Sequence, residues 1–100
     1  RNIFPVVNES GELEGIVTLD HIREMMFDLE NQETVVIKTL MSKAPAFVSS
    51  SEKMQSVMNK FEITQAWNLP VIDEGKYVGF VSKSRIFNAY RKKLIRQSKE

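Results

Sequence analysis

An α+β fold made of two look-alike units is what this 100-residue chain predicts, and three observations predict it. A stretch near the start recurs near the end. Each copy joins two short β-branched runs through a glycine-marked turn, and each then passes into a segment of helical periodicity. Phe4-Pro5-Val6-Val7-Asn8-Glu9 parallels Leu69-Pro70-Val71-Ile72-Asp73-Glu74. After one extra residue in the first copy, Gly11-Glu12-Leu13-Glu14-Gly15-Ile16-Val17-Thr18 parallels Gly75-Lys76-Tyr77-Val78-Gly79-Phe80-Val81-Ser82, and Ile22 and Ile86 follow in equivalent places.

Taken in order, Val6-Val7 and Val71-Ile72 read as strands buried on at least one face, because β-branched residues suit a pleated surface. Asn8-Glu9-Ser10-Gly11 and Asp73-Glu74-Gly75 supply a turn-initiating side chain and a glycine able to take positive φ, so each flanking pair of strands forms a hairpin. Gly15 and Gly79, at the start of the second strand of each hairpin, leave room for another backbone, a ligand or a packed helix. The first helix begins near Leu19 and lines up Ile22, Met25, Met26 and Leu29 at i, i+3, i+4, i+7. Asp28 to Glu33 has no periodic continuation and reads as a connector, with Thr34 to Met41 a short extended and helical lead-in. Ala46-Phe47-Val48 is a brief strand. Ser49-Ser50-Ser51-Glu52 offers a capping box, a serine capping the next helix while Glu52 reaches back. Met54, Val57, Met58 and Phe61 form that helix's buried stripe, and the last helix, from about Lys83, has Ile86, Phe87, Tyr90 and Leu94 as its apolar side.

Composition narrows the function classes. With 42% hydrophobic and 27% charged residues the chain is of globular type. No apolar run approaches the roughly 18 residues of a membrane span, so a soluble chain is expected. The absence of cysteine removes disulfides, thiolate zinc sites and cysteine nucleophiles, and the single histidine, His21, is too little for a histidine metal cluster or triad. The scattered carboxylates show no spacing that demands an acid–base pair. An enzyme is therefore not expected. Net charge of +1 conceals an asymmetry: residues 1–84 hold eight Lys/Arg against twelve Asp/Glu, whereas residues 85–100 hold six, Arg85, Arg91, Lys92, Lys93, Arg96 and Lys99, against one. Such a tail suits phosphates or anionic lipid, and it also suits the negative end of a helix macrodipole.

The second unit runs strand, helix, strand, strand, helix. The first starts at its middle strand, as though its opening strand and helix lay upstream. The expected division is residues 1–33 for the second half of a first unit, 34–45 for a linker, and 46–100 for a complete second unit with a basic terminal helix. A sheet lacking a strand exposes apolar edge and face, which pairing with the other unit and with a second copy of the chain would cover.

The repeated pattern of hydrophobic-Pro-Val-Val/Ile-Asp/Asn, turn glycine, Gly-hydrophobic-Val-Ser/Thr and amphipathic helix resembles the CBS domain, which works in tandem pairs. The implied fold is a CBS-domain pair of β-α-β-β-α units, small mixed sheets packed on helices, with the first unit truncated. The stretches Ala66-Trp67-Asn68-Leu69-Pro70-Val71, Gly79 to Arg91 and Gly15 to Arg23 resemble the cytoplasmic C-terminal CBS pair of bacterial CLC-type chloride channels and transporters. That resemblance implies a homodimeric membrane parent whose transport domain handles chloride, this module lying at the cytoplasmic face of the membrane.

CBS pairs often bind an adenine nucleotide between their units, with Ser/Thr-x-x-Asp where the second hairpin strand meets its helix. A hydroxyl and free N–H groups at a helix N-terminus attract phosphate, and a carboxylate accepts from ribose hydroxyls. Thr18 and Ser82 supply the hydroxyls, but His21 and Arg85 stand at the Asp positions. Asp20, one residue early, is turned about 100° away. Arg85 is able to meet a phosphate instead. Candidate nucleotide-binding residues are thus Thr18, His21, Phe47, Asn68, Leu69, Pro70, Ser82 and Arg85. The plainer alternative is that the two hydroxyls cap their helices and Arg85 faces solvent or an interface. Trp67 and Tyr77 suit either adenine stacking or packing, His21 either pH sensing or solvation, and the five methionines read as adaptable core or interface. Ile22, Met25, Met26, Phe87, Tyr90 and Leu94 are expected to pack against partner units.

Two functions follow. One is a regulatory and dimerising module of a CLC-type chloride channel or chloride/proton antiporter, acting through packing between units. The other is an adenine-nucleotide sensor on another protein such as a metabolic enzyme, with ATP, ADP or AMP as ligand and no obligatory cofactor. No metal site is expected, and nucleic-acid binding is not, because the basic tail lacks interleaved aromatics.

Overall fold

The computed structural model describes residues 3–28 and 40–98, with side chains for 3–24 and 40–98. Among these, β1 (Ile3–Val7) and β2 (Leu13–Thr18) lead into α1 (Leu19–Asp28), and α2 (Met54–Thr64) precedes β3 (Asn68–Asp73), β4 (Lys76–Ser82) and α3 (Lys83–Ser98). The chain divides into two compact units, Arg1–Ala44 and Pro45–Glu100. Of the connector and lead-in expected from Asp28 to Met41, residues 29–39 lie outside the described residues, as do the side chains of Met25 and Met26.

Both hairpins are antiparallel, and their registers repeat as the sequence does. Phe4 faces Val17, Pro5 faces Ile16 and Val6 faces Gly15, while Leu69 faces Val81, Pro70 faces Phe80 and Val71 faces Gly79. The register breaks after the equivalent valines, between Val6 and Val7 and between Val71 and Ile72. A break at the same place in both copies twists both hairpins alike.

The turns differ in how they are closed. In the first, the Asn8 side-chain oxygen accepts the N–H groups of Ser10 at 2.9 Å and Glu12 at 3.0 Å, the Asx-turn expected of that residue. In the second, Glu74 (φ 51°) and Gly75 (φ 79°) are both left-handed, the conformation of a two-residue hairpin loop whose twist matches its strands. Asp73, expected to initiate that turn, instead holds Ser50, accepting its backbone N–H at 2.9 Å and its hydroxyl.

Each hairpin gains a third extended segment, at opposite edges. In the first unit, Ser42 lies antiparallel to Ile16 through a reciprocal pair of 2.8 Å backbone bonds. In the second, Val48 lies parallel to Val71, with its N–H donating to Pro70 O at 3.0 Å and its carbonyl accepting from Ile72 at 2.8 Å. The second sheet is therefore mixed. The expected strand over Ala46 to Val48 is reduced to this single bridge, because Ser49 already turns toward α2.

The capping box forms in half. Glu52 reaches back to accept the Ser49 N–H at 3.1 Å, but no serine caps α2, which starts at Met54 after Lys53 without a side-chain cap. Ser49 and Ser51 pair with each other through their hydroxyls and Ser50 is taken by Asp73. The second core consists of Val48, Val57, Phe61 and Leu69, with Phe61 and Leu69 wholly excluded from solvent, and Ala46, Ala66, Val71, Val81, Ile86 and Phe87 packed around them. Phe87, expected to serve a partner unit, is half-buried and packs against this core. Among the described residues of the first unit, Gly15, Ile16 and Val17 of β2 are buried.

Candidate functional site

The junction between second strand and helix, where the sequence places its candidate hydroxyls, has one local structure in both units. Thr18 ends β2, and its Oγ1 accepts the N–H of His21 at 3.3 Å; Ser82 ends β4, and its Oγ accepts the N–H of Arg85 at 3.2 Å. Each hydroxyl satisfies one of the N–H groups that a helix start leaves unpaired. The helix-capping alternative is thus realised twice. The hydroxyl still has lone-pair capacity, but the amide three residues on is already taken.

Around the second junction, sheet register gathers further candidates. Asn68 opens β3 directly opposite Ser82, and Trp67 O accepts the Lys83 N–H at 2.9 Å, closing the same end of the sheet. Phe47 immediately precedes the Val48 bridge on the neighbouring edge and is 60% exposed. Arg85 is exposed, and Asn68 and Ser82 are half-buried. Leu69 and Pro70 are both buried, which leaves little of either side chain for a ligand within this unit. Alternation along β3 turns Leu69 onto Phe61 and Val57 and sets Pro70 on the opposite face of the strand. In the first unit Thr18 pairs with Ile3 in the register that Ser82 shares with Asn68, and an aliphatic residue replaces the amide.

His21 is half-buried, and its Nδ1 is a buried side-chain nitrogen without a hydrogen-bond partner among the described residues. Trp67 is 73% exposed, but Lys83 Nζ sits 5.3 Å from its ring centroid and 5.7 Å from that of Phe87, so one ammonium bridges two aromatic faces. Tyr77 packs edge-on against Phe80 at 5.6 Å, and burial pushes its phenol above the ordinary value of 10.0. That pair supports the packing reading of Tyr77.

One polar brace was not anticipated from the sequence. Lys60, on α2, donates to Phe47 O at 2.8 Å and stands 2.9 Å from a Glu52 carboxylate oxygen, while the Ser56 hydroxyl donates to Glu52 at 2.5 Å. Burial raises the Glu52 pKa, but hydrogen bonds from Ser56, Lys60 and the Ser49 amide, with the Lys60 charge, together hold it below the ordinary 4.5. Two hydrogen bonds from Ser50 outweigh a small desolvation effect and hold half-buried Asp73 below its ordinary 3.8. These links fix the Phe47–Ser51 backbone beside the sheet. The only signal for them was Lys60 lying two helical turns beyond Glu52, too distant for a recognisable local motif.

Each unit is thus a hairpin and helix with a bridged segment at one sheet edge and a hydroxyl-capped helix start; the described residues contain no cluster of His, Cys, Asp and Glu able to hold a metal. The CBS domain family model matches residues 1–28 and 37–92, and the chain belongs to the CBS domain family. It is a regulatory CBS module. Its fold is similar to the CBS domain pair of protein MJ0100 in complex with 5′-methylthioadenosine and S-adenosyl-L-methionine, at 26% identity and TM-score 0.69, over 92% of this chain and 72% of that one. CBSX2 in complex with AMP is similar in fold at 23% identity and TM-score 0.70, over the same 92% and 72%. The soluble part of a magnesium transporter is likewise similar in fold, at 17% identity and TM-score 0.71, over 92% of this chain and 34% of that one. No curated protein sequence matches the chain.

Proposed function

We propose that this chain is the regulatory and dimerising module of a CLC-type chloride channel or chloride/proton antiporter, lying at the cytoplasmic face and biasing transport through the packing of its units. The observation that carries the packing mode is the pair of strand–helix junctions. Thr18 and Ser82 each cap their helix, and the third residue on, His21 or Arg85, offers no carboxylate to a ribose. A module without either ribose acceptor acts through the arrangement of its own helices. Such an arrangement affects the membrane domain only if it differs in free energy between two transport states. The half-buried positions Ile22 and Tyr90 are the contacts offered to a second copy.

The test is removal of residues 1–100 from the full parent chain reconstituted in vesicles. Chloride flux should persist with altered rate or gating, and the module alone should sediment as a dimer. A parent that moves no chloride, or a flux indifferent to the deletion, overturns the proposal.

A second reading is adenine-nucleotide sensing on another protein, a metabolic enzyme among them. It is supported by the adenosine compounds bound to protein MJ0100, and by the exposed Arg85 beside Ser82, which suits an anionic group. Titration calorimetry with ATP, ADP and AMP separates the two: saturation at one ligand per chain in the micromolar range favours sensing.

A further inference from the structure

We propose that the last two turns of α3 dock on an anionic lipid surface. Ile86 and Phe87 pack on the second core, but from Arg91 to Ser98 every residue of α3 is exposed. Leu94 and Ile95 are 47% and 49% exposed. At about 100° per residue, Leu94 continues the stripe of Ile86, Phe87 and Tyr90 beyond the part that the core covers, and Ile95 widens it. Relative to Leu94 and Ile95, Lys92, Lys93 and Arg96 fall on the far side of the cylinder, and Arg91 falls between the two apolar residues. The free end of the helix thus carries two exposed apolar side chains flanked by cations, a composition that suits a helix lying in a membrane interface, where basic side chains reach the headgroups.

Charge decides the partner's sign. α3 contains no acidic residue, and the ion pairs among the described residues are Arg23 with Asp20 and Lys60 with Glu52. Lys92, Lys93 and Arg96 therefore have no carboxylate partner there. The helix macrodipole favours cations only within the final turn, where Arg96 is the basic residue. It leaves Arg91, Lys92 and Lys93 unexplained. Nucleic acid would complement the charge but not the adjoining Leu94 and Ile95, whereas an anionic bilayer supplies phosphate at its surface and hydrocarbon just beneath. α3 alone carries this docking, whatever protein bears the module.

The whole 100-residue chain is sedimented with vesicles of phosphatidylcholine alone, or of phosphatidylcholine and phosphatidylglycerol in equal parts. It should partition onto the mixed vesicles and not the neutral ones. Each lysine near such a surface is worth about fivefold in partition, so Lys92→Glu with Lys93→Glu should weaken binding by at least about 25-fold. Leu94→Ser with Ile95→Ser should weaken it while leaving its salt dependence. All four side chains are exposed, and the circular dichroism and denaturation midpoint of both variants should match the parent chain. Equal binding to both vesicle types, or charge-reversed chain that still binds, overturns the proposal. So does vesicle binding that Leu94→Ser with Ile95→Ser leaves untouched. In that event, displacement by duplex DNA would assign the patch to nucleic acid, and a change in the free chain's sedimenting mass would assign the apolar pair to a contact between copies.

Discussion

The two hairpins share one register and one bulge, yet their equivalent residues live in different surroundings. In the second unit Leu69 is sealed beneath α2 and Pro70 is also buried, whereas in the first Phe4 is 47% exposed and Pro5 only half-buried. Burial shifts to the other strand: Gly15, Ile16 and Val17 of β2 are buried, but Gly79, Phe80 and Val81 of β4 are half-buried. The edge neighbours explain the exchange. Ser42 covers β2 in the first unit, and Val48 with α2 covers β3 in the second. A repeat therefore dictates pairing inside the hairpin, while its energetic centre moves to whichever strand the next piece of chain covers.

The largest expected effect breaks this comparison directly. Leu69→Ala should destabilise the second unit by about 2–5 kcal/mol, and Phe61→Ala by about 3–5, because both leave cavities in a closed core. Phe4→Ala, at the position matching Leu69, should cost about 1 kcal/mol or less, since nearly half of that ring is already in water. Denaturation followed by Trp67, the only tryptophan, reports the second unit, and amide exchange reports the first. Equal losses at Phe4 and Leu69 would mean that the two hairpins are equally covered.

The glycines come next. A Cβ at Gly15 would lie 2.8 Å from Met41 Sδ and 2.9 Å from Ser42 O, so Gly15→Ala must push a backbone carbonyl and should cost about 1–3 kcal/mol. At Gly79 the added carbon meets nothing within 4 Å, and Gly79→Ala should be neutral or stabilise by up to about 1 kcal/mol. Exchange of the Ser42 and Ile16 amides should quicken in the first variant only.

Glu52 belongs to the second unit alone, and its brace predicts a pH dependence. A carboxylate whose folded pKa is below its unfolded value binds protons more readily when unfolded, so its stabilisation is complete above about pH 4.5 and is lost as pH falls through the folded value. Glu52→Gln should cost about 1–3 kcal/mol at neutral pH and flatten the loss of stability below pH 4.5. Titration monitored by Trp67 fluorescence checks both. Asp73 contributes with the same sign at lower pH, from its ordinary 3.8 downward.

The smallest effects sharpen what the units share. Thr18→Ala and Ser82→Ala each remove one helix cap and should cost about 1 kcal/mol, similarly in both units. A much larger loss at either one would mean that its hydroxyl holds more than a helix start.

Much of the site was legible because its geometry is local. Thr18 and Ser82 precede apolar helical stripes, and a hydroxyl there meets an amide three residues on whatever the rest of the chain does. The Lys83 bridge between Trp67 and Phe87, and the burial of Leu69 and Pro70, were not legible in that way. Each depends on elements that sequence spacing does not bring together. The serine run misled for a related reason: Ser50 has a stronger acceptor in Asp73, 23 residues away, than any cap position offers.

By itself the sequence determined the repeat, the two hairpins with their turns, and the helix starts, because these rest on period-two alternation, left-handed turn residues and contacts within four positions. Only the tertiary structure decided which strand of each hairpin is buried, why Gly15 admits no side chain while Gly79 would, and that Glu52 answers to Lys60. Those outcomes depend on which distant segment lies alongside each strand, and close packing makes that neighbour, not the residue's own type, set its energy.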